Sequence, residues 1–183
     1  MISMDVQTAY QKTIIFATIK HLENNQTITD SNLPYVIHLS NVTMEILIAS
    51  NNTENFDLNF ATQVALLHDT LEDTNTTFEE LELEFGLDVA EGVSALTKNS
   101  NLPKEEKMLD SLSRISKLKK EVWAVKLADR ITNLQKPPKT WDNLKRRKYK
   151  DEAAIILEQL KGGNAYLENR LRSKIEEYEQ YLD

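Results

Sequence analysis

Apolar residues recur every three or four positions along nearly the whole chain, and the alternation of a half-buried strand is almost absent. Only helices place that period on one continuous stripe, so the pattern predicts an all-α bundle of about eight to ten helices. The first is expected from about Asp5 to His21, with Val6, Tyr10, Ile14, Ala17 and His21 on one side. The second lies in "SNLPYVIHLSNVTMEILIAS", with Pro34 near its first position, where a missing N–H costs nothing. The third runs from about Asn59 through Asp73. Thr77 and Glu80 make a capping-box pattern for a short fourth, which Gly86 ends. The fifth covers Asp88 to Leu96, the sixth about Lys104 to Lys119, and the next is "EVWAVKLADRITNL", broken by "QKPPKT". The last two extend from about Trp141 to Lys161 and from Asn164 to Leu182, separated by "GG". With no repeat, low-complexity tract or internal boundary, residues 1–183 read as one domain.

Several function classes are disfavoured at once. The chain has no cysteine, hence no disulfide framework, no thiolate metal site and no thiol nucleophile. No basic segment precedes an apolar block at the start, and no stretch approaches the roughly 20 apolar residues of a membrane span. The simplest reading is a cytoplasmic protein with no membrane partner. A formal net charge of −7 gives little counterion release, which argues against nucleic-acid binding. The densest basic run, "KRRKYK" at Lys145 to Lys150, spreads over roughly 500° of a helix, so it reads as a solvated surface and not as a stripe.

One stretch does not suit an ordinary helix entering a core. "ALLHDTLEDT" sets His68, Asp69, Glu72 and Asp73 directly after an apolar run. On a continuous helix all four fall within roughly 140° of the circumference. Three carboxylates on one face repel one another, and burying them unpaired is costly. Lys and Arg are missing from Asn59 to Asp73, so the compensating charge is distant or is a metal ion. "VKLADRITNL" repeats the anomaly with Asp129 and Asn133 one turn apart, and "PYVIHL" embeds His38 among apolar residues. Two imidazoles and two or more carboxylates from three helices suit Mn²⁺, Fe²⁺, Co²⁺ or Zn²⁺. Such an ion lowers the pKa of bound water, with Glu72 or Asp73 placed to orient it or take its proton. Alone, each residue has a plainer reading: His21 and His38 as satisfied core histidines, and Asp129 paired with Arg130 or a lysine. The joint occurrence favours the metal, because one cation answers all of them.

These segments resemble the HD-domain metal-dependent phosphohydrolases. More narrowly, they resemble the hydrolase domain of RelA/SpoT homologues and the stand-alone small alarmone hydrolases. "PYVIHL" is similar to that family's PYIxHP, "ALLHDTLEDT" to its ALLHDxxEDT, and "VKLADRITNL" to its KLADRLxNL. "FGLDVAEGVSALTK" and "LKGGNAYLENRL" extend the resemblance over about Ala9 to Leu171, with no synthetase or regulatory region attached. The resemblance implies removal of pyrophosphate from the 3′ position of guanosine tetra- or pentaphosphate. It implies His38, His68, Asp69 and Asp129 as ligands of Mn²⁺, with Glu72 and Asp73 activating or positioning the attacking water. It further implies Asn133 near the ribose and Tyr35 beside the nucleotide.

The departures bear on the substrate. The family's Arg-Lys pair before PYIxHP is missing, since "LENNQTITDSNL" contains no basic residue, and Leu39 replaces the usual proline after His38. Lys98 and Lys104, flanking the "NSNLP" loop, are candidates to meet the phosphates instead. Trp141 reads as a packing anchor. Two other functions stay open: an HD phosphohydrolase for another phosphorylated nucleotide (ppApp, NADPH at its 2′-phosphate, or a nucleoside monophosphate), and a non-catalytic nucleotide-binding helical module. Nothing in the pattern specifies an oligomeric state.

Overall fold

The computed structural model describes residues 5–183, so the first four residues of the expected domain lie outside the described part. Among the described residues there are ten α-helices, a closing 3₁₀ turn, and one isolated β-bridge between Thr27 and Pro34. The fold is all-α, as the periodicity implies.

Helix α1 (Val6–Glu23) starts where the Asp5 carboxylate accepts the Thr8 N–H at 2.9 Å. Its buried line is Ala9, Thr13, Ala17 and His21, with Tyr10 and Ile14 only partly covered, a slight rotation from the expected face. The small residues let α1 close on α3 (Leu58–Leu67), which has no charged residue and is buried along most of its length. Helix α2 (Val36–Ser50) begins just after Pro34 and buries His38 in its first turn. Helix α8 (Lys120–Asn133) is the second central rod, buried from Val122 through Ile131 apart from Trp123, and it touches α2, α3, α6, α9 and α10.

The long third helix expected from about Asn59 to Asp73 is broken in two. Helix α3 stops at Leu67, and Thr70–Asp73 form a separate single turn, α4. Asp69 sits in the bridge region at φ −102° and ψ −2°, which tilts the next turn away. Side chains satisfy the carbonyls that the broken ladder frees. Thr70 Oγ1 donates to the Leu67 carbonyl at 2.7 Å, and His68 Nδ1 to that of Ala65 at 2.8 Å.

Helices α5 (Phe78–Phe85) and α6 (Leu87–Leu96) meet at Gly86, whose φ of +90° suits glycine, and Thr77 caps α5 as expected. Helix α7 (Lys107–Ile115) is shorter than the expected Lys104–Lys119, because turns around Pro103 and after Ser116 take up its ends. Helix α9 (Asn143–Gln159) is capped by Asp142, which accepts from the Lys145 N–H at 2.7 Å, so Trp141 lies before the helix and does not open it. Helix α10 (Ala165–Tyr178), capped by Asn164, closes the bundle against α8 and α9.

Candidate metal centre

The break between α3 and α4, the first turn of α2 and the last turns of α8 converge on one point. His68 Nε2 lies 2.9 Å from Asp69 Oδ2, 3.4 Å from His38 Nε2 and 3.7 Å from Asp129 Oδ1. His38 Nε2 lies 3.6 Å from Asp69 Oδ2 and 3.5 Å from Asp129 Oδ1. Donors at right angles around a first-row divalent ion, each about 2.1 Å from it, sit about 3 Å apart. His38, His68 and Asp69 offer ligand atoms that all lie within 4.8 Å of one another, as such an ion requires, and Asp129 Oδ1 stands within 3.7 Å of both histidines. The His68 Nδ1 bond to Ala65 also leaves Nε2, the nitrogen that faces the carboxylates, free to bind a cation.

The electrostatics point the same way. Burial alone pushes the His68 imidazole down, yet the carboxylates of Asp69 and Asp129 outweigh it and hold it well above its usual value. Burial likewise pushes Asp69 and Asp129 up. The His68 imidazole reverses this at Asp69, and Lys126 with the two histidines reverses it at Asp129, so both stay below the usual carboxylate range. The two carboxylates thus favour positive charge at this point, which is the charge a divalent cation would supply.

Around the tetrad, Tyr35, Glu72, Asp73, Lys98, Asn133, Tyr149 and Glu152 line a cleft of about 250 Å³ that includes His68, Asp69 and Asp129. Their roles are not all those expected. The Tyr35 hydroxyl donates to Asp69 Oδ2 at 2.5 Å, and burial followed by the Asp69 charge keeps the phenol protonated. Asn133 Nδ2 donates to Asp129 Oδ1, so in this geometry it orients that carboxylate. Glu72 is clamped: Oε1 meets the Lys98 ammonium at 2.7 Å and Oε2 the Lys98 N–H at 3.1 Å. Asp73 has no such cation in contact. Burial, then the charges of Asp69 and Glu72, push its carboxyl up to about 6.

Lys104 does not line this cleft. It borders an adjoining groove of about 570 Å³, together with Lys145, Lys148 and Trp141, and the two spaces share Met108, Tyr149 and Glu152. A third groove, of about 400 Å³, carries Thr29, Tyr35, His38, Asn41, Asn133, Gln135, Lys136 and Trp141. Trp141 meets Tyr149 edge-on at 5.0 Å and borders both grooves, so reading it purely as a packing anchor understates its position.

Lys126 was missed in the sequence. It is buried one turn before Asp129 on α8, with Nζ 3.2 Å from Asp129 Oδ2. Its signal was a lysine inside the apolar run of "AVKLAD". Arg130, the other candidate partner for Asp129, turns instead to Glu152 at 3.5 Å and to the Tyr149 ring at 4.3 Å. His21 is buried as expected but not satisfied, since neither ring nitrogen has a partner.

A helical bundle with two histidines and two aspartates gathered at a helix break is the arrangement of an HD domain. The chain belongs to the HD-domain family: the family model described as "HD domain" matches residues 14–162. A guanosine-3′,5′-bis(diphosphate) 3′-pyrophosphohydrolase, MESH1, from Danio rerio is 35% identical over 165 residues, spanning 88% of this chain and 89% of that protein. Its Xenopus tropicalis counterpart is 34% identical over 160 residues, spanning 85% and 87%. A solved structure described as a metazoan ortholog of SpoT that hydrolyses ppGpp superposes with a TM-score of 0.81 at 27% identity, covering 96% of this chain and 98% of that one.

Proposed function

We propose that this chain is a metal-dependent 3′-pyrophosphohydrolase of guanosine-3′,5′-bis(diphosphate), yielding GDP and pyrophosphate. The observation that carries the reading is the His38–His68–Asp69 cluster, with Asp129 beside both histidines and an acidic pair on the same cleft, in a chain similar over most of its length to proteins with that activity. His38, His68, Asp69 and Asp129 would hold the divalent ion, with Mn²⁺ the proposed metal. When bound, the ion supplies Lewis acidity, acidifying water and withdrawing electron density from phosphoryl oxygens.

Asp73 is the proton acceptor in this reading, because its carboxyl titrates near neutrality and no ion pair holds it. Water attacks the phosphorus joined to O3′ and its proton passes to Asp73; the P–O3′ bond breaks with its electron pair on O3′, and that proton is handed on to O3′ to give the free 3′-hydroxyl. Glu72 holds Lys98 at the cleft wall, where the ammonium faces the pyrophosphate. Burial alone would lower this ammonium, but Glu72 keeps it charged. Asn133 orients Asp129 and borders the ribose, and Tyr35 closes the nucleotide side of Asp69. Lys104, in the adjoining lysine-lined groove, is placed for the distal phosphates.

A second reading, acceptance of the adenine analogue ppApp, is favoured by one observation. The groove beside His38 presents Thr29 and amide side chains, with Lys136 its one charged lining residue. A panel of ppGpp, pppGpp, ppApp, NADPH and nucleoside monophosphates, assayed with Mn²⁺, tests both readings. Pyrophosphate release from ppGpp at the highest kcat/KM supports the first. Turnover of NADPH or a monophosphate without ppGpp contradicts it.

A further inference from the structure

His21 is 1% exposed, and neither Nδ1 nor Nε2 has a hydrogen-bond partner. A polar ring buried without partners costs stability, so its place here calls for an explanation. The ring lies against the Tyr35 phenol, with centroids 4.6 Å apart and planes inclined by 28°. The far end of that phenol donates to Asp69 Oδ2, the oxygen facing both tetrad histidines.

Tyr35 needs such a support. It sits at the start of α2, at the end of a 24–34 connection with left-handed residues at Asn25 and Asp30, and makes no side-chain cap. The His38 ring, with its centroid 5.2 Å from that of Tyr35, is tilted by 50° and does not stack. The His21 carbonyl also accepts the Gln26 N–H at 2.9 Å, and the Gln26 amide reaches the Asp73 carbonyl at 3.0 Å, so the same residue ties down the start of the connection.

We propose that His21 is a positioning residue for the metal centre: its ring is the plate that holds Tyr35 so that the phenol hydroxyl fixes Asp69. Burial pushes the imidazole down to about 4, so the plate is neutral at physiological pH and adds no repulsion toward a bound cation. The ring's flat face does this work, and its nitrogens are dispensable. The proposal rests on Asp69 as a metal ligand and is independent of which nucleotide is hydrolysed.

The test is a double-mutant cycle on Mn²⁺ affinity, measured by titration calorimetry on the whole chain, with circular dichroism to confirm folding. Tyr35→Phe should weaken Mn²⁺ binding about 10- to 100-fold, as loss of a hydrogen bond to a ligand does. His21→Ala should weaken it to a similar degree, and the double variant no further than Tyr35→Phe alone. His21→Phe should bind within about twofold of the parent and melt at a higher temperature without metal, since two orphan nitrogens are gone. Should His21→Ala fail to fold, His21→Leu replaces it in the cycle. Parental Mn²⁺ affinity in folded His21→Ala, independent losses that multiply in the double variant, or a His21→Phe as weak as the alanine would each overturn the proposal. A parent that binds no Mn²⁺ would overturn it together with the metal centre, whereas hydrolysis of a different nucleotide would leave it standing.

Discussion

At the scale of single residues, Glu72 and Asp73 are adjacent in the sequence and identical in charge, yet the fold gives them different chemistry. Lys98 neutralises Glu72, while Asp73 sits among carboxylates with its carboxyl raised to about 6. A carboxyl whose folded pKa exceeds its unfolded value of 3.8 destabilises the fold above the folded pKa, and the penalty disappears as pH falls below the unfolded one. Discounted for partial exposure, that penalty is about 1–2 kcal/mol at pH 8. Asp73→Asn should therefore raise the Tm of the metal-free protein by a few degrees at pH 8 and leave it unchanged near pH 4. Its turnover should fall by about 10²- to 10⁴-fold with metal retained, as for loss of a general base. Glu72→Gln should retain metal and lose less turnover, because the glutamate acts through Lys98. A larger loss in Glu72→Gln than in Asp73→Asn would reverse the two roles. This division was not legible in the sequence, because Lys98 reaches Glu72 across 26 residues.

At the scale of elements, the periodicity located most helices, because apolar spacing reports which face meets the core. It missed the break between α3 and α4, because apolar spacing carries no record of bonds from side chains to carbonyls. The tetrad was legible for a related reason: His38, His68 and Asp129 are polar residues inside apolar helical runs, and nothing in an ordinary core rewards that. The break gives Asp69 its position beside His68, so its supports should matter to both folding and binding. Thr70→Val keeps the shape but removes the bond to the Leu67 carbonyl. Urea unfolding should show a loss of about 1–2 kcal/mol, and Mn²⁺ affinity should fall in parallel. An unchanged affinity would mean that the break is held by tertiary packing alone.

At the scale of the whole molecule, a chain of net charge −7 sets Lys98, Lys104, Lys126, Lys145 and Lys148 on the cleft or its adjoining groove, where they offset the carboxylates of the same walls. The groove beside His38 carries Thr29, and Lys136 is its one lysine or arginine. Without a second such cation, discrimination between guanine and adenine should be weak. Thr29→Arg should raise kcat/KM for ppGpp relative to ppApp, with each tenfold change worth about 1.4 kcal/mol. A parent that already prefers guanine a hundredfold would place base recognition elsewhere in the chain. No helix among the described residues is long and apolar enough to cross a membrane, in keeping with a fold whose apolar residues serve the bundle interior.

The central claim is that four side chains from three parts of the chain hold one catalytic divalent ion. It is tested most directly by measuring metal content and pyrophosphate release from ppGpp together, in the parent and in Asp69→Ala, in the same metal-controlled buffer. The parent should hold about one ion per chain and release pyrophosphate. Asp69→Ala should lose both while keeping its helical circular dichroism, because a cluster relieved of one carboxylate needs less compensating charge. Full activity in a folded, metal-free Asp69→Ala protein would contradict the claim.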